Sequence, residues 1–286
     1  MKPIMRVMSV VCGIAVCAGA GAVEGQGPSA VHLASAAGEA VTPARGAFAI
    51  LETGFAQEQL RYDRVRAAHL RARPKIDRMF YERGITYPAA EMYIRVFKRE
   101  RELEVWVRSP GEGKFQHLKT YGICGLAGKP GPKRRQGDRQ VPEGFYHVDV
   151  YNPQSQYHLS LGINYPNARD RATRRPGTVL GGDIFIHGDC VSEGCLAITN
   201  GGIEELYWLA IDARAVGQSQ IPVHIFPARI DARELRRLRP IFADQPQLLE
   251  FWETLRPGYE YFEKNRRVPP MVVDARGRYR LVRAAS

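Results

Sequence analysis

Over residues 92–108 the side chains alternate with a period of two, and no other feature limits the fold so strongly. Met92, Ile94 and Val96 alternate with Tyr93, Arg95 and Phe97, and Leu103, Val105 and Val107 alternate with Glu104, Trp106 and Arg108. Successive side chains of a strand point to opposite faces, so this pattern predicts two half-buried strands joined as a hairpin across a short charged turn. Ser109-Pro110-Gly111-Glu112-Gly113 supplies a second turn, followed by a strand over residues 115–123. Further strands are expected at 145–150, 159–163, 183–187 and 221–226. The expectation is a mainly β, mainly antiparallel domain.

Helices are expected around it. Residues 55–73 read as a basic helix stopped by Pro74, its arginines forming a solvated face. Thr199 or Asn200 can cap a helix in which Ile203, Leu206, Tyr207 and Ala210 share a face, while Glu204 and Glu205 suit its positive end. Two short helices near Glu234 and Phe251 and a hairpin across Asp274-Ala275-Arg276-Gly277 complete the chain. Residues 23–54, rich in Ala, Gly and Ser without periodicity, read as a flexible leader. The expected organisation is therefore 1–22 signal peptide, 23–88 leader and basic helix, 89–228 the mainly β domain and 229–286 carboxy-terminal extension.

The first segment rests on Lys2 and Arg6 ahead of an apolar core over residues 7–20, with small-residue cleavage sites at Ala18-Gly19-Ala20 and Ala20-Gly21-Ala22. The run is short for a membrane span, which needs about 20 residues. Cys17 opens a lipoprotein alternative, which the bulky Val16 opposes. No later segment is apolar enough to span a membrane, so a soluble exported protein without stable membrane insertion is expected. The net charge of +11 favours anionic partners, but no basic run interleaved with aromatics marks a nucleic-acid surface.

Export bears on the cysteines. Cys12 and Cys17 leave with the signal, and Cys124, Cys190 and Cys195 remain. An odd count in an oxidising compartment fits one disulfide and one free thiol. Pairing Cys124 with Cys190 leaves a reactive Cys195. Three free thiols, or a local Cys190–Cys195 bridge, are the alternatives.

The chemistry concentrates in Asp183-Ile184-Phe185-Ile186-His187-Gly188-Asp189-Cys190-Val191-Ser192-Glu193-Gly194-Cys195. An apolar run delivers a histidine to its end, and a Ser-x-Gly-Cys turn follows. A thiol needs a base or a positive field to become a nucleophile, and imidazole is the usual partner. Cys195 is thus expected as nucleophile and His187 as base, with the thiol held below its ordinary value of about 8.5. Ser192 and Gly194 shape a turn whose amides can face an oxyanion. His187, Asp189, Cys190 and Cys195 also include zinc-ligand types, but their spacing matches no usual structural zinc pattern, so no metal or cofactor is expected. His224, among apolar neighbours, reads as packing rather than catalysis. Arg134, Arg135 and Gln136, in a Gly-rich loop, are candidates to clamp substrate carboxylates or are simply solvated, and Tyr165 and Arg171 are similar candidates.

His-Gly followed by Ser-x-Gly-Cys, downstream of Val141-Pro142-Glu143-Gly144-Phe145-Tyr146, resembles the L,D-transpeptidase (YkuD-type) catalytic domain, and most closely its YafK-type branch. The resemblance continues through Gly131-Pro132-Lys133-Arg134-Arg135-Gln136-Gly137-Asp138, Ile163-Asn164-Tyr165-Pro166-Asn167-Ala168, Val223-His224-Ile225-Phe226-Pro227 and Pro257-Gly258-Tyr259-Glu260-Tyr261-Phe262. It implies a YkuD-like β-sandwich with a helix after the nucleophile loop and a helical carboxy-terminal extension. It also implies a periplasmic cysteine acyltransferase acting on diaminopimelate-containing stem peptides of peptidoglycan. The acyl group would pass to a second stem, to a lysine of a wall-anchored lipoprotein, or to water. By the same resemblance Cys195 matches the nucleophile, His187 the base and Gly188 the carbonyl that orients the imidazole. The chain departs from many members in carrying Glu193 where they have histidine, and in a shorter loop between His187 and Cys195. A more open site follows, which keeps hydrolysis beside transfer. A wall-binding module without catalysis is the remaining alternative, opposed by the intact Cys/His pair.

Overall fold

The two alternating runs form β1 (Glu91–Phe97) and β2 (Glu102–Arg108), paired antiparallel with Ile94 opposite Val105 and Val96 opposite Leu103. This is a computed structural model that describes residues 54–282; the expected signal peptide and most of the leader lie outside the described residues. The strands that follow are β3 (Gln116–Gly122), β4 (Gly125–Leu126), β5 (Gly144–Asn152), β6 (Ser160–Ile163), β7 (Phe185–His187), β8 (Leu196–Ala197) and β9 (Ile221–Phe226). All belong to one nine-stranded sheet in the order β3-β2-β1-β9-β5-β6-β7-β8-β4. Its two outermost strands, β3 and β4, are separated along the chain only by Ile123 and Cys124. The sheet therefore curls until its edges meet, which also protects them from pairing with other chains. Pairing is antiparallel except between β1 and β9 and between β7 and β8. β10 (Met271–Val273) and β11 (Tyr279–Leu281) form the separate carboxy-terminal hairpin.

Both faces of the sheet are covered. On β1, Met92, Ile94 and Val96 enter the large core beneath α2 (Asp63–Glu82) and α4 (Asn200–Ala215), while Phe97 enters a second core with α5 (Ala232–Ile241) and α6 (Pro246–Asn265). Tyr93 packs with Phe262 of α6. β1 is thus buried on both faces, not half-buried as its alternation predicted. Arg95 pays for this position through its partners: it is 1% exposed, with Nη2 2.7 Å from Glu263, Nε 3.7 Å from Glu104 and its guanidinium over Phe97 and Phe262.

Two short helices, α1 (Gly54–Leu60) and α3 (Ala168–Ala172), complete the set. The helix expected to stop at Pro74 continues to Glu82, with Pro74 inside it. A proline in a helix interior removes one hydrogen bond and costs about 3 kcal/mol. Here the residue whose carbonyl loses its partner, Leu70, is 74% exposed, so water can bond to it. Ala68, Ala72, Ile76 and Phe80 form a buried stripe that holds the helix on the far side of Pro74. In α4 the cap is Thr199, whose hydroxyl accepts from Gly202 N–H at 3.2 Å. Burial extends beyond its expected face to Glu204, Glu205, Trp208 and Asp212, because α2 covers the opposite side.

Candidate active site

The parallel pair β7–β8 is joined by residues 188–195 alone, so a short loop must return the chain to the start of the neighbouring strand. Ala197 lies opposite His187 in this pair. Cys195 lies just ahead of β8, and its Sγ is 3.4 Å from the amide of Phe185, which shares a face of β7 with His187. The loop is pinned at several points. Gly188 N–H donates to the Tyr157 carbonyl at 3.0 Å, and Asp189 N–H donates to Asn200 Oδ1 at 2.8 Å. A Cβ on residue 188 would lie 2.3 Å from Asn200 Oδ1 and 3.0 Å from the Tyr157 carbonyl, so only glycine fits. Ser192 Oγ donates to the Cys195 carbonyl at 2.7 Å and accepts from Gly194 N–H at 3.2 Å, closing the nucleophile turn. Gly194 has φ +133°, a conformation that disfavours any side chain. Its amide is committed to Ser192 here, so these two residues build the turn rather than offer that amide to an oxyanion.

Cys124 and Cys190 are joined as a disulfide, and Cys195 is free. The bridge ties the nucleophile loop to the segment that connects the two edges of the sheet.

His187 is 2% exposed, and its Nδ1 lies 2.5 Å from the Gly188 carbonyl. A carbonyl only accepts, so Nδ1 carries the proton and Nε2 is the basic nitrogen. The Tyr157 ring covers the imidazole at 4.8 Å between centroids. Burial lowers the His187 pKa, opposed by the Gly188 hydrogen bond and by Asp189. Burial also pushes the Cys195 thiol up, opposed by the Phe185 amide, while Asp183 raises it further and Lys133 lowers it. Cys195 Sγ lies 3.4 Å from Phe185 N and 3.5 Å from the Asp183 carbonyl, and no hydrogen bond joins it to His187. Both shifts favour the neutral forms of the pair, opposite in direction to the expectation of a thiol held below its ordinary value.

Helix α2 reaches this site from behind, so its arginines do more than form a solvated face. Arg64 Nη1 donates to the Ser155 carbonyl at 2.6 Å and also to that of His158. Arg71 Nη2 and His158 Nε2 share Glu204 Oε1 at 2.6 and 2.8 Å. These bonds clamp residues 155–158, which carry both the ring over His187 and the carbonyl that holds Gly188.

A cationic cavity of about 350 Å³ lies between residues 133–135 and 173–180. Lys133, Arg134, Arg135, Arg174 and Arg175 line it, with Asp170 as its acid. Gln136 N–H donates to the Val179 carbonyl at 2.8 Å, joining the two walls. Lys133 Nζ is 2.6 Å from Asp138. The base of the loop is anchored by a buried pair, Lys98 Nζ 2.9 Å from Glu143 Oε1, and Glu143 also accepts from Gly131 N–H and Trp252 Nε1. Such a pair is costly to break, because the remaining charge would be left buried alone.

Among the residues singled out in the sequence, Arg134 and Arg135 line this cavity and Gln136 lies beside it. Tyr165 lies beneath it, buried, its hydroxyl donating to the Leu180 carbonyl at 3.4 Å. Arg171 is exposed and bonds to the Pro166 carbonyl. His224 is a packing residue: it is 4% exposed, its Nδ1 is 2.7 Å from the Tyr93 hydroxyl, and burial lowers its pKa to about 3. Cys190 is spent in the disulfide and is lost to any metal set. The sequence reading missed Lys133, Arg174 and Arg175, although they stand beside residues it named, and missed Tyr157, His158 and Glu204, whose roles depend on contacts distant in the chain.

The matching family pattern is the L,D-transpeptidase catalytic domain (YkuD), over residues 90–224. YafK of Escherichia coli K12, provisionally named an L,D-transpeptidase, is 43% identical over 190 residues, covering 66% of this chain and 72% of that protein. Among solved structures, the helical cell shape determining protein Pgp2 of Campylobacter jejuni is 18% identical with a TM-score of 0.38, covering 70% of this chain and 80% of that one. Bd1075 of Bdellovibrio bacteriovorus is 24% identical with a TM-score of 0.35, covering 59% of each chain. Because 43% identity extends across 72% of YafK, and the family match over residues 90–224 contains His187, the turn from Ser192 to Cys195 and the strands beside them, this chain belongs to the L,D-transpeptidase (YkuD) family.

Proposed function

We propose that the protein is an exported cysteine acyltransferase that acts on the stem peptides of peptidoglycan through an acyl-enzyme on Cys195. The observation that carries this reading is that Cys195 Sγ lies 3.4 Å from the Phe185 amide, two residues before His187 on β7, with Gly188 fixing Nε2 as the basic nitrogen. In the proposed cycle the thiol attacks the peptide carbonyl on the L-centre of diaminopimelate as its proton passes to Nε2. The tetrahedral intermediate collapses to a thioester, and the imidazolium returns the proton to the leaving amine. An incoming amine, from a second stem or from a lysine of a wall-anchored lipoprotein, then takes the acyl group, and His187 accepts its proton. Starting from a neutral pair suits this cycle, since charge develops only while substrate shields the site.

The short loop favours water as a competing acceptor. Val191 is 56% exposed and the Glu193 side chain 80%, so the tip of the loop stands in solvent. Release of cross-links or of anchored protein is therefore the second reading. Export is supported by the amino-terminal signal pattern and by the Cys124–Cys190 disulfide, since disulfides persist in oxidising compartments such as the periplasm. No helix of the described residues is long and apolar enough to cross a membrane.

The test is incubation of purified mature protein with isolated sacculi, followed by mass spectrometry of muropeptides and released protein. New L,D-linkages support transfer, and freed stems or released protein support hydrolysis. No change in either, beside unchanged Cys195→Ala controls, overturns the proposal.

A further inference from the structure

The cationic cavity, lined at one end by Lys133, whose charge acts on Cys195, does not end at Arg134. A second cavity of about 190 Å³ shares Arg134 and Thr173 with it and continues onto the carboxy-terminal extension, where Phe251 of α6 and Arg276 and Arg278 of the β10–β11 turn form its wall. Of the arginines lining the two cavities, Arg278 is paired with a carboxylate, whereas Arg134, Arg135, Arg169, Arg174, Arg175 and Arg276 form no such ion pair among the described residues. Arg169 is the most telling of them. It is 6% exposed, its Nε has no hydrogen-bond acceptor among the described residues, and its guanidinium lies 3.9 Å from the Phe251 ring centroid. A guanidinium N–H stripped of water without an acceptor is unfavourable unless an acceptor completes it.

Two acids line the groove. Asp170 is buried and already accepts from Tyr146 and from Asn167 N–H, and Glu250 stands on the α6 side. Neither neutralises the stripe of guanidinium groups between them. Arg278 is partly satisfied by Asp274 at 3.1 Å, which also fixes the turn that presents Arg276.

We propose that this continuous groove is a second substrate subsite, in which Arg134, Arg169 and Arg276 hold a peptide bearing two or more carboxylates while its other end lies at Cys195. The proposal rests on the acyltransferase reading only in naming the occupant, since stem peptides carry several carboxylates on a flexible backbone. The extension is then part of the binding surface and not only a brace for the sheet.

The test uses full-length mature protein carrying Cys195→Ala, which binds without turnover. Affinity for a tetraglutamate peptide is measured by calorimetry at low salt, before and after adding the pair Arg134→Gln and Arg276→Gln. Both side chains are exposed, so folding is not challenged, and Arg236→Gln on the solvent side of α5 controls for net charge. Loss of charge-assisted hydrogen bonds predicts an affinity about 10-fold weaker or more for the pair, and little change for the control. Affinity unchanged in the pair, or equal loss in the control, overturns the groove. Tighter, Arg134-dependent binding of tripolyphosphate also overturns it, because the ligand would then be a phosphate chain. In parallel, the same pair in an intact Cys195 background should raise KM for a disaccharide tetrapeptide more than it lowers kcat. If the unsubstituted enzyme does not turn this substrate over while arginine-dependent tetraglutamate binding remains, the groove stands and the peptidoglycan reading fails.

Discussion

In the proposed reaction His187 takes a proton only through Nε2 and Cys195 gives one up against the cost of burial, so position rather than standing charge would make the pair reactive. Both shifts favour the neutral forms. A thiol whose pKa is raised holds less thiolate at neutral pH than a free cysteine, and the population grows only as pH climbs past the ordinary value of about 8.5. Alkylation of Cys195 by iodoacetamide is therefore expected to be slower than that of free cysteine at pH 7 and to rise steeply above pH 8.5. His187→Ala should leave this profile nearly unchanged while lowering turnover by about 10³-fold or more, as loss of one member of a nucleophile–base unit does. An alkylation profile with a midpoint near 6 that vanishes in His187→Ala would restore a standing ion pair and contradict this account.

The sequence singles out these two residues because their pattern is written locally. His187 and Cys195 lie within one short loop, and glycine at 188 and 194 marks the close approach and the positive φ that the loop needs. The protonation state was not legible, because it depends on how deeply the loop is buried, and that is set by strands remote in sequence.

At the scale of elements, helix α2 and residues 155–158 act as a clamp on the base. The clamp runs from Arg64 and Arg71 through His158 and Glu204 to Tyr157, and so to Gly188. Its members are separated by tens of residues, so no spacing rule could have joined them, and the arginines of α2 read as solvated. Glu204→Ala should loosen residues 155–158 without touching the reacting atoms. A misplacement of about 1 Å at a catalytic group can cost about 10²-fold in rate. Turnover in Glu204→Ala is expected to fall by about 10-fold to 10²-fold, mainly in kcat, with Cys195 alkylation unaffected. Turnover equal to that of the unsubstituted protein would remove the clamp from catalysis. The two alternating runs, by contrast, were readable as a hairpin directly. What alternation could not show was the second core against Phe97, because α5 and α6 arrive from the other end of the chain.

For the whole molecule, curling brings β3 and β4 together, and the Cys124–Cys190 bridge fastens the nucleophile loop across that closure. A disulfide of this kind typically contributes about 2–4 kcal/mol. Replacing both cysteines by serine should lower the melting temperature by several degrees, read by circular dichroism, and reduce turnover by loosening the loop. A melting temperature unchanged by the double replacement, or by a reductant, would show that the bridge does not support the fold. The carboxy-terminal extension belongs to the same body: Trp252 of α6 donates to Glu143, which anchors the cationic loop at Gly131. The sequence set this extension apart because nothing in its own composition reveals that Glu143 needs it.

Trapping of the acyl-enzyme tests the central claim most directly. Purified protein is mixed with a disaccharide tetrapeptide containing diaminopimelate, quenched in acid within seconds, and analysed by intact mass and peptide mapping. The account predicts a covalent muropeptide adduct on Cys195, absent from Cys195→Ala and strongly reduced in His187→Ala. Turnover without an adduct on Cys195, or an adduct that persists in Cys195→Ala, would contradict it.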